Sequence, residues 1–224
     1  MKAKSSRKKE VDEWYYVGID QSYSSTGVVV LSVGGQQCKP ITAITIKARG
    51  PNDPFGKRLD IVVKAILECL PKTKNCLVCM EGGAFASEFN TFRLGELSGV
   101  LRYILYKEGY ELELVQPTTL KKFVTGNGSA TKVMMAEHVS ARWGYEHPSD
   151  DVIDAYGLAR VAEALNKSKR ANLESDSKEV KPSKGSVTGS KTKRKSKRLT
   201  STSLLTHCKD NAELEEAEES IEIF

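Results

Sequence analysis

The feature that most constrains the fold is a short apolar stretch that ends in a carboxylate and then turns back. Residues 15–19 are mainly aromatic and β-branched, which is typical of a buried strand, and Asp20 follows directly. A polar loop leads to Thr26-Gly27, which open a second strand running to about Val33. An Asp at such a strand end can face a metal ion or a phosphate, although an ordinary turn residue explains the same pattern.

The elements that follow alternate in the order of an α/β fold. Residues 41–47 predict a third strand, so the first three strands form an antiparallel meander. Periodicity and turn residues predict helices over 55–70, 89–108, 117–124, 131–143 and from 149 or 150 to about 165, and strands over 76–80 and 112–115. This order predicts a five-stranded mixed sheet, made of the meander and two parallel strands, with helices on both faces.

Four carboxylates fall where this fold would bring them together, namely Asp20, Glu81, Asp151 and Asp154. Glu81 directly follows the fourth strand, which we expect to lie parallel to the first, and ligands bind open α/β sheets at that edge. Asp151 and Asp154 are three residues apart, so they share one face near the start of the last helix. Attraction to the positive helix N-terminus explains Asp150 and Asp151, but it explains Asp154 poorly because small and apolar residues follow it.

These acids predict a metal site. Carboxylates that face a sheet are costly unless a positive charge neutralises them. Two acids at strand ends and two on a helix are a suitable ligand set for two hard divalent cations such as Mg²⁺. A pair of such ions activates a water and stabilises the departing 3′-oxygen of a phosphodiester, with no His, Ser or Cys nucleophile. The pattern therefore favours phosphodiester hydrolysis.

Basic residues beside a glycine loop fit a nucleic-acid substrate. Lys121, Lys122 and Lys132 flank the segment Gly126-Asn-Gly-Ser-Ala, whose backbone N–H groups can approach phosphates. Solvated lysines on a flexible connection between helices explain the same residues. The helix over 89–108 carries more apolar residues than one core-facing stripe needs, so part of it is either a dimer interface or deeper core.

Taken together, the motifs over residues 15–164 resemble the RuvC family of Holliday-junction resolvases, in the RNase H-like superfamily. In chain order they are Gly18-Ile-Asp20 with Thr26-Gly27, Glu81 after an apolar strand, Leu94-Gly95 with Gly99, Lys121 with the segment 126–132, and Asp151-Val-Ile-Asp154-Ala. The resemblance implies an α/β, RNase H-like fold and a structure-selective endonuclease that nicks four-way and other branched DNA.

The same resemblance assigns roles to residues. It implies that Asp20, Glu81, Asp151 and Asp154 are catalytic and bind two Mg²⁺ ions per active site, for which Mn²⁺ can substitute. It matches Lys121 and Lys132 to basic residues that contact DNA near the scissile phosphate, and Lys122 adjoins them. It also implies a homodimer in which each subunit nicks one of two symmetric strands.

Some positions depart from the family pattern. The family reaches an aromatic wedge residue soon after the second acid, whereas the loop here reads Gly82-Gly-Ala-Phe85, so Phe85 is the expected wedge with a shifted register. Asp150 leaves the identity of the third acid open, although the three-residue spacing to Asp154 favours Asp151. The tail after Leu165 has no counterpart in the family, and differences of this kind are familiar among viral relatives.

Three other interpretations stay open. An ATPase of the actin-like class also places a phosphate loop after such a strand and hairpin, but it normally needs two domains of this kind. A non-catalytic module that binds branched DNA has no need of all four acids. Another RNase H-like nuclease would use the same acids on RNA–DNA hybrids or flaps.

Charge is unevenly distributed along the 224 residues. We expect a flexible basic arm over 1–12 and a nuclease domain over 13–165. Residues 166–200 carry 12 basic and 3 acidic side chains and residues 201–224 carry 1 and 7, with few large apolar residues, which predicts a disordered tail over 166–224. No apolar run suits a membrane span or signal peptide, and the five cysteines fit a reducing intracellular compartment. That compartment would be the cytoplasm for a bacterial or phage protein, or the nucleus given the basic tail.

Overall fold

A mixed five-stranded sheet forms the centre of the computed structural model, which describes residues 13–22, 24–34, 37–48, 54–82 and 88–178. In chain order the elements are β1 (Trp14–Asp20), β2 (Thr26–Gly34), β3 (Gln37–Ile46), α1 (Phe55–Cys69), β4 (Cys76–Glu81), α2 (Glu88–Lys107), β5 (Glu111–Val115), α3 (Pro117–Thr125), α4 (Lys132–Trp143) and α5 (Asp150–Lys178). None of the described helices is long and apolar enough to cross a membrane.

The strand order in the sheet is β3-β2-β1-β4-β5. β2 pairs antiparallel with both β1 and β3, whereas β4 pairs parallel with both β1 and β5. The predicted α/β sheet, a meander joined to two parallel strands, is therefore confirmed. The two strands that end in acids are direct neighbours.

Helices cover both faces of the sheet. Successive side chains of a strand point to opposite faces. On one face Val17 and Ile19 join a buried cluster with Ile66 of α1 and Leu101 of α2. On the other face Gly18 lies against the backbone of α5. The central strand is thus buried on both sides, which explains why its sequence is apolar without alternation.

The third strand begins earlier than the sequence predicted. The prediction began β3 after Pro40, but the strand begins at Gln37. Because β3 pairs only with β2, it is an edge strand, and proline is tolerated there because one side of the strand needs no partner. The register shifts between Val30 and Leu31 of β2, where Leu31 pairs with Pro40.

The last helix is longer than predicted, and the rest of the predicted disordered tail, residues 179–224, lies outside the described residues. The helix was expected to end near Leu165, yet α5 continues to Lys178. This extension contains neither Gly nor Pro, and Lys, Ala, Arg and Leu support a helix without an apolar face. The chain divides into two compact units, Met1–Ala162 and Glu163–Phe224. Within the second, Lys167 pairs with Glu163 at 3.0 Å, a spacing that stabilises a helix.

The apolar residues of α2 contribute mainly to the core. Leu97, Leu101 and Leu105 are at most 1% exposed and belong to the buried cluster. Over residues 95–107, the part of α2 whose side chains are described, the large apolar side chains that are exposed are Tyr103 and Tyr106. Of the two interpretations left open, deeper core is therefore correct for the three leucines.

Candidate active site

Two acids stand side by side at the carboxyl ends of neighbouring parallel strands. Asp20 is the last residue of β1 and Glu81 is the last residue of β4. Ile19 pairs with Met80, and both side chains lie in the cluster under α1 and α2. Since side chains alternate along a strand, the next residues, Asp20 and Glu81, point to the opposite face, which α5 covers.

Glycines in β1 and β2 allow α5 to lie directly on that face. A Cβ added to Gly18 would lie 1.8 Å from the carbonyl oxygen of Ala155. A Cβ added to Gly27, which pairs with Asp20, would lie 2.0 Å from the carbonyl oxygen of Asp151. Only residues without a side chain permit this approach, so the two glycines fix the first turns of α5 over the end of β1.

The electrostatics of Asp20 indicates that the four predicted acids lie within range of one another. The pKa of Asp20 is raised from 3.8 to about 9, mainly by burial and then by the carboxylates of Glu81, Asp154 and Asp151, while Lys132 opposes the shift. A neighbouring negative charge disfavours ionisation, so its effect reports proximity. The structure therefore brings together strand ends and helix residues that are up to 134 positions apart in the chain.

The pKa values of Glu81 and Asp154 are shifted in the same direction. Burial raises the pKa of Glu81, and Asp154 adds to this, while a hydrogen bond with the Asp20 carboxyl group and the charges of Lys121 and Lys132 oppose it. Burial also raises the pKa of Asp154 to about 6, against the effect of Lys132 and Lys121. The site therefore favours added positive charge.

The donor set fits hard divalent cations. Carboxylate oxygens are the protein ligands that Mg²⁺ and Mn²⁺ prefer, and a divalent cation would offset both the burial of these carboxylates and their mutual repulsion. Among the described residues, no three His, Cys, Asp or Glu side chains are arranged closely enough to hold a metal ion in their present conformations. The acids are thus neighbours whose oxygens would have to move closer together around an ion.

Two of the three predicted basic residues lie near the acids. Lys121 and Lys132 both lower the pKa values of Glu81 and Asp154. Burial alone would lower the pKa of Lys132, but the charges of Asp150, Asp154 and Asp151 and a hydrogen bond with Asp150 together raise it. Lys122 is exposed and does not contribute to these shifts.

Asp150 and Asp151 have different partners. Asp150 forms an ion pair with Lys132 at 3.4 Å, and both side chains are more than half exposed, so the pair contributes little stability. Asp151 instead accepts a hydrogen bond from the Ser25 hydroxyl. Asp151 is thus the acid of the two that contacts the loop after β1, and its assignment as the third metal-binding acid stays a prediction.

The loop between β1 and β2 contributes residues that the sequence did not single out. Gln21 is buried, and its Nε2 donates to the main-chain oxygen of Glu81 at 3.1 Å, which ties the ends of β1 and β4 together. Ser25 was one of several similar polar residues and gave no spacing signal. Gly18 did give one, since glycine inside a strand often marks a close backbone approach.

The proposed wedge residue, Phe85, lies outside the described residues. Its position relative to the acids therefore stays a prediction. β4 ends at Glu81 and the described chain resumes at α2, so the predicted wedge belongs to the connection between these two elements.

A mixed five-stranded sheet with acids at the ends of two neighbouring parallel strands and on α5, the helix that covers them, is the arrangement of the RNase H-like class. A family model described as crossover junction endodeoxyribonuclease RuvC matches residues 16–161. This chain belongs to the RuvC family.

Curated relatives support this assignment over most of their own length. The RuvC of Brachyspira hyodysenteriae is 24% identical over 152 residues, which cover 67% of this chain and 94% of that protein. The RuvC of Thermotoga maritima is 26% identical over 163 residues, which cover 71% of this chain and 96% of that protein.

Solved structures show the same fold. Thermus thermophilus RuvC superposes with a TM-score of 0.56 at 20% identity, covering 71% of this chain and 96% of that one. The same protein in complex with a Holliday junction substrate gives a TM-score of 0.58 at 20% identity, covering 72% and 96%. At this identity the likeness establishes the fold alone.

Proposed function

We propose that this protein is a structure-selective endonuclease that hydrolyses phosphodiester bonds in four-way DNA junctions, using divalent metal ions. Membership of the RuvC family supports the reaction class. The observation that carries the proposal for this chain is the shifted pKa of Asp20, to which three further carboxylates contribute from β4 and α5. Such a cluster is costly to fold, and a metal-dependent role explains why it is present.

The four acids have defined tasks in this proposal. Asp20, Glu81, Asp151 and Asp154 would hold Mg²⁺, with two ions as the expected number and Mn²⁺ as a substitute. When bound, such ions supply an activated water and stabilise the departing 3′-oxygen. Gly18 and Gly27 bring α5 onto the sheet, so the backbone sets the position of the helix acids relative to the strand acids.

The basic residues would bind the DNA. Lys121 and Lys132 lie near enough to the acids to lower their pKa values, so a phosphate held by either lysine would lie close to the carboxylates. Lys132 is the first residue of α4. The hydroxyl of the preceding residue, Thr131, accepts a hydrogen bond from the Met134 N–H and caps the helix. Lys122 is exposed and would contact the backbone of a duplex arm.

A comparison of substrates tests the proposal. A four-way junction, a flap, a linear duplex and an RNA–DNA hybrid are incubated side by side with the protein and Mg²⁺. We expect nicking of the junction above all, with Glu81→Gln as the inactive control that still binds the junction. Preferred cleavage of the hybrid or flap would favour the other nuclease, and binding without cleavage would favour a non-catalytic module.

We expect the protein to form a homodimer, and the burial of the α2 side chains determines which residues can be used to test its interface. Leu101 is 1% exposed, so Leu101→Glu would disrupt the core rather than a dimer. Tyr103 and Tyr106 of α2 are 63% and 76% exposed, and they line a groove of about 680 Å³ beside the edge strand β5. A C₂ dimer would present two active sites to one symmetric junction. We propose that this surface is the dimer interface, because it exposes two large aromatic side chains.

Tyr106→Glu should therefore convert the dimer to a folded monomer in sedimentation experiments. The monomer should bind junctions more weakly and make single rather than paired nicks, because only one active site is present. Ile41→Glu is the matched control, since Ile41 is 56% exposed on β3 at the opposite edge of the sheet. Dissociation by Ile41→Glu and not by Tyr106→Glu would place the interface elsewhere.

A further inference from the structure

We propose that Ser25 is a positioning residue that selects Asp151, rather than the adjacent Asp150, as the metal-binding acid at the start of α5. The inference rests on the proposed function, because it assigns a role within the same metal site. Its basis is the hydrogen bond that the Ser25 hydroxyl donates to Oδ2 of Asp151.

The loop that carries Ser25 is anchored by its neighbour. Thr26 is fully buried, and its hydroxyl donates to the main-chain oxygen of Ser22 at 2.7 Å and accepts from the Ser22 N–H at 3.2 Å. These two bonds close the segment between Asp20 and β2. Ser25, directly before Thr26, is therefore held at the end of β2.

The two acids at the start of α5 are drawn in different directions. Lys132 pairs with Asp150, and Ser25 contacts Asp151. Gly27 brings the Asp151 backbone against β2, so the acid is close enough for the loop to reach it. A serine hydroxyl can donate to one carboxylate oxygen and leave the second oxygen, Oδ1, to bind a cation in a fixed orientation.

Contacts of this kind have measurable effects on metal affinity. A carboxylate that binds a metal is itself commonly held by a hydrogen bond, and loss of that partner weakens metal binding by roughly 10- to 100-fold. The alternative is that the bond only fastens the loop to the helix. The two roles differ in whether metal affinity changes when the fold is intact.

The test measures metal binding without cleavage. Thermal melts of the full-length protein are titrated with Mn²⁺ and with Mg²⁺, and the metal concentration that gives half of the maximal stabilisation is recorded. Ser25→Ala should raise this concentration about 10-fold or more, while its melting temperature in EDTA stays close to that of the wild type. The separate variant Ser25→Thr, which keeps a hydroxyl, should reach half of the maximal stabilisation at the same metal concentration as the wild type.

Ser24→Ala is the matched control. Ser24 lies in the same loop, and its hydroxyl and N–H contact the Ser22 hydroxyl rather than an acid, so the metal midpoint should not change. In an Asp151→Asn background, Ser25→Ala should have no further effect, because the acid on which it acts is gone. Equal midpoints for Ser25→Ala and Ser24→Ala, or an undiminished effect of Ser25→Ala in the Asp151→Asn background, would overturn the inference.

The outcome also separates this inference from the proposed function. If the wild type shows metal-dependent stabilisation and cleavage while Ser25→Ala matches it, only the role of Ser25 is wrong. A wild type that is neither stabilised by metal nor able to cleave a junction would remove both.

Discussion

Asp20→Asn should abolish cleavage and, in the absence of metal, make the protein more stable than the wild type. The pKa of Asp20 is raised from 3.8 to about 9 in the folded protein. At pH values between 3.8 and about 9, Asp20 is ionised in the unfolded chain but keeps its proton in the folded protein. Folding therefore costs free energy that grows as the pH rises from about 4 to about 9, and an amide removes this cost.

The expected effects are large. Loss of one of the acids that would hold the metal should lower cleavage by at least about 10³-fold, while junction binding is largely kept. Removal of even about 2 kcal/mol of this cost would raise the melting temperature in EDTA at neutral pH by roughly 4–8 °C. The difference between the variant and the wild type should shrink as the pH falls towards 4. Added Mg²⁺ should stabilise the wild type more than the variant.

Asp60→Asn is the control for this experiment. Asp60 of α1 is also an aspartate, but its side chain is exposed and forms an ion pair with Lys64 at 2.7 Å. Its replacement should leave both cleavage and the metal-free melting temperature nearly unchanged. An Asp20→Asn protein that melts below the wild type in EDTA at pH 7 would show that the carboxylate stabilises the metal-free fold, contrary to our account.

Gly18→Ala should destabilise the protein by about 3 kcal/mol or more. The added Cβ would lie 1.8 Å from the carbonyl oxygen of Ala155 and 2.6 Å from the nitrogen of Ala159. Both are backbone atoms of α5, which cannot rotate away as a side chain can. The helix must therefore move off the sheet, and Asp151 and Asp154 move with it. Chemical denaturation and cleavage assays should both show the loss.

Gly95→Ala is the matched control for Gly18→Ala. Gly95 lies in α2, is exposed, and has nothing within 4 Å of an added Cβ. Because alanine is the better helix former, this substitution should stabilise the protein by up to about 1 kcal/mol. Equal stability of the Gly18→Ala and Gly95→Ala proteins would mean that α5 is not seated on β1 as described.

The sheet and the neighbourhood of the four acids were predictable because they follow from local patterns. Asp20 and Glu81 each end an apolar strand, and the crossover between those strands makes them parallel neighbours, so their proximity needs no detailed packing. Asp154 was recognisable because small and apolar residues surround it on a helix. These are properties of strand order and helix periodicity, which the sequence expresses directly.

Other features depend on contacts that one-dimensional patterns do not carry. The end of α5 was misjudged because apolar periodicity was used to define the helix, whereas residues up to Lys178 are helical with few large apolar side chains. Leu101 could not be assigned to core or interface, since both bury leucine. Ser25 became distinguishable from Ser24 only when the loop and α5 were seen together.

Cleavage of a four-way junction under metal control tests the central claim most directly. A symmetric junction with labelled strands is incubated with the wild type in Mg²⁺, with the wild type in EDTA, and with Glu81→Gln in Mg²⁺. We predict nicks at symmetric positions in two opposite strands with the wild type in Mg²⁺ alone. The products should carry 5′-phosphates that DNA ligase can seal. Cleavage that persists in EDTA or in the Glu81→Gln protein, or product ends that ligase cannot seal, would contradict the account.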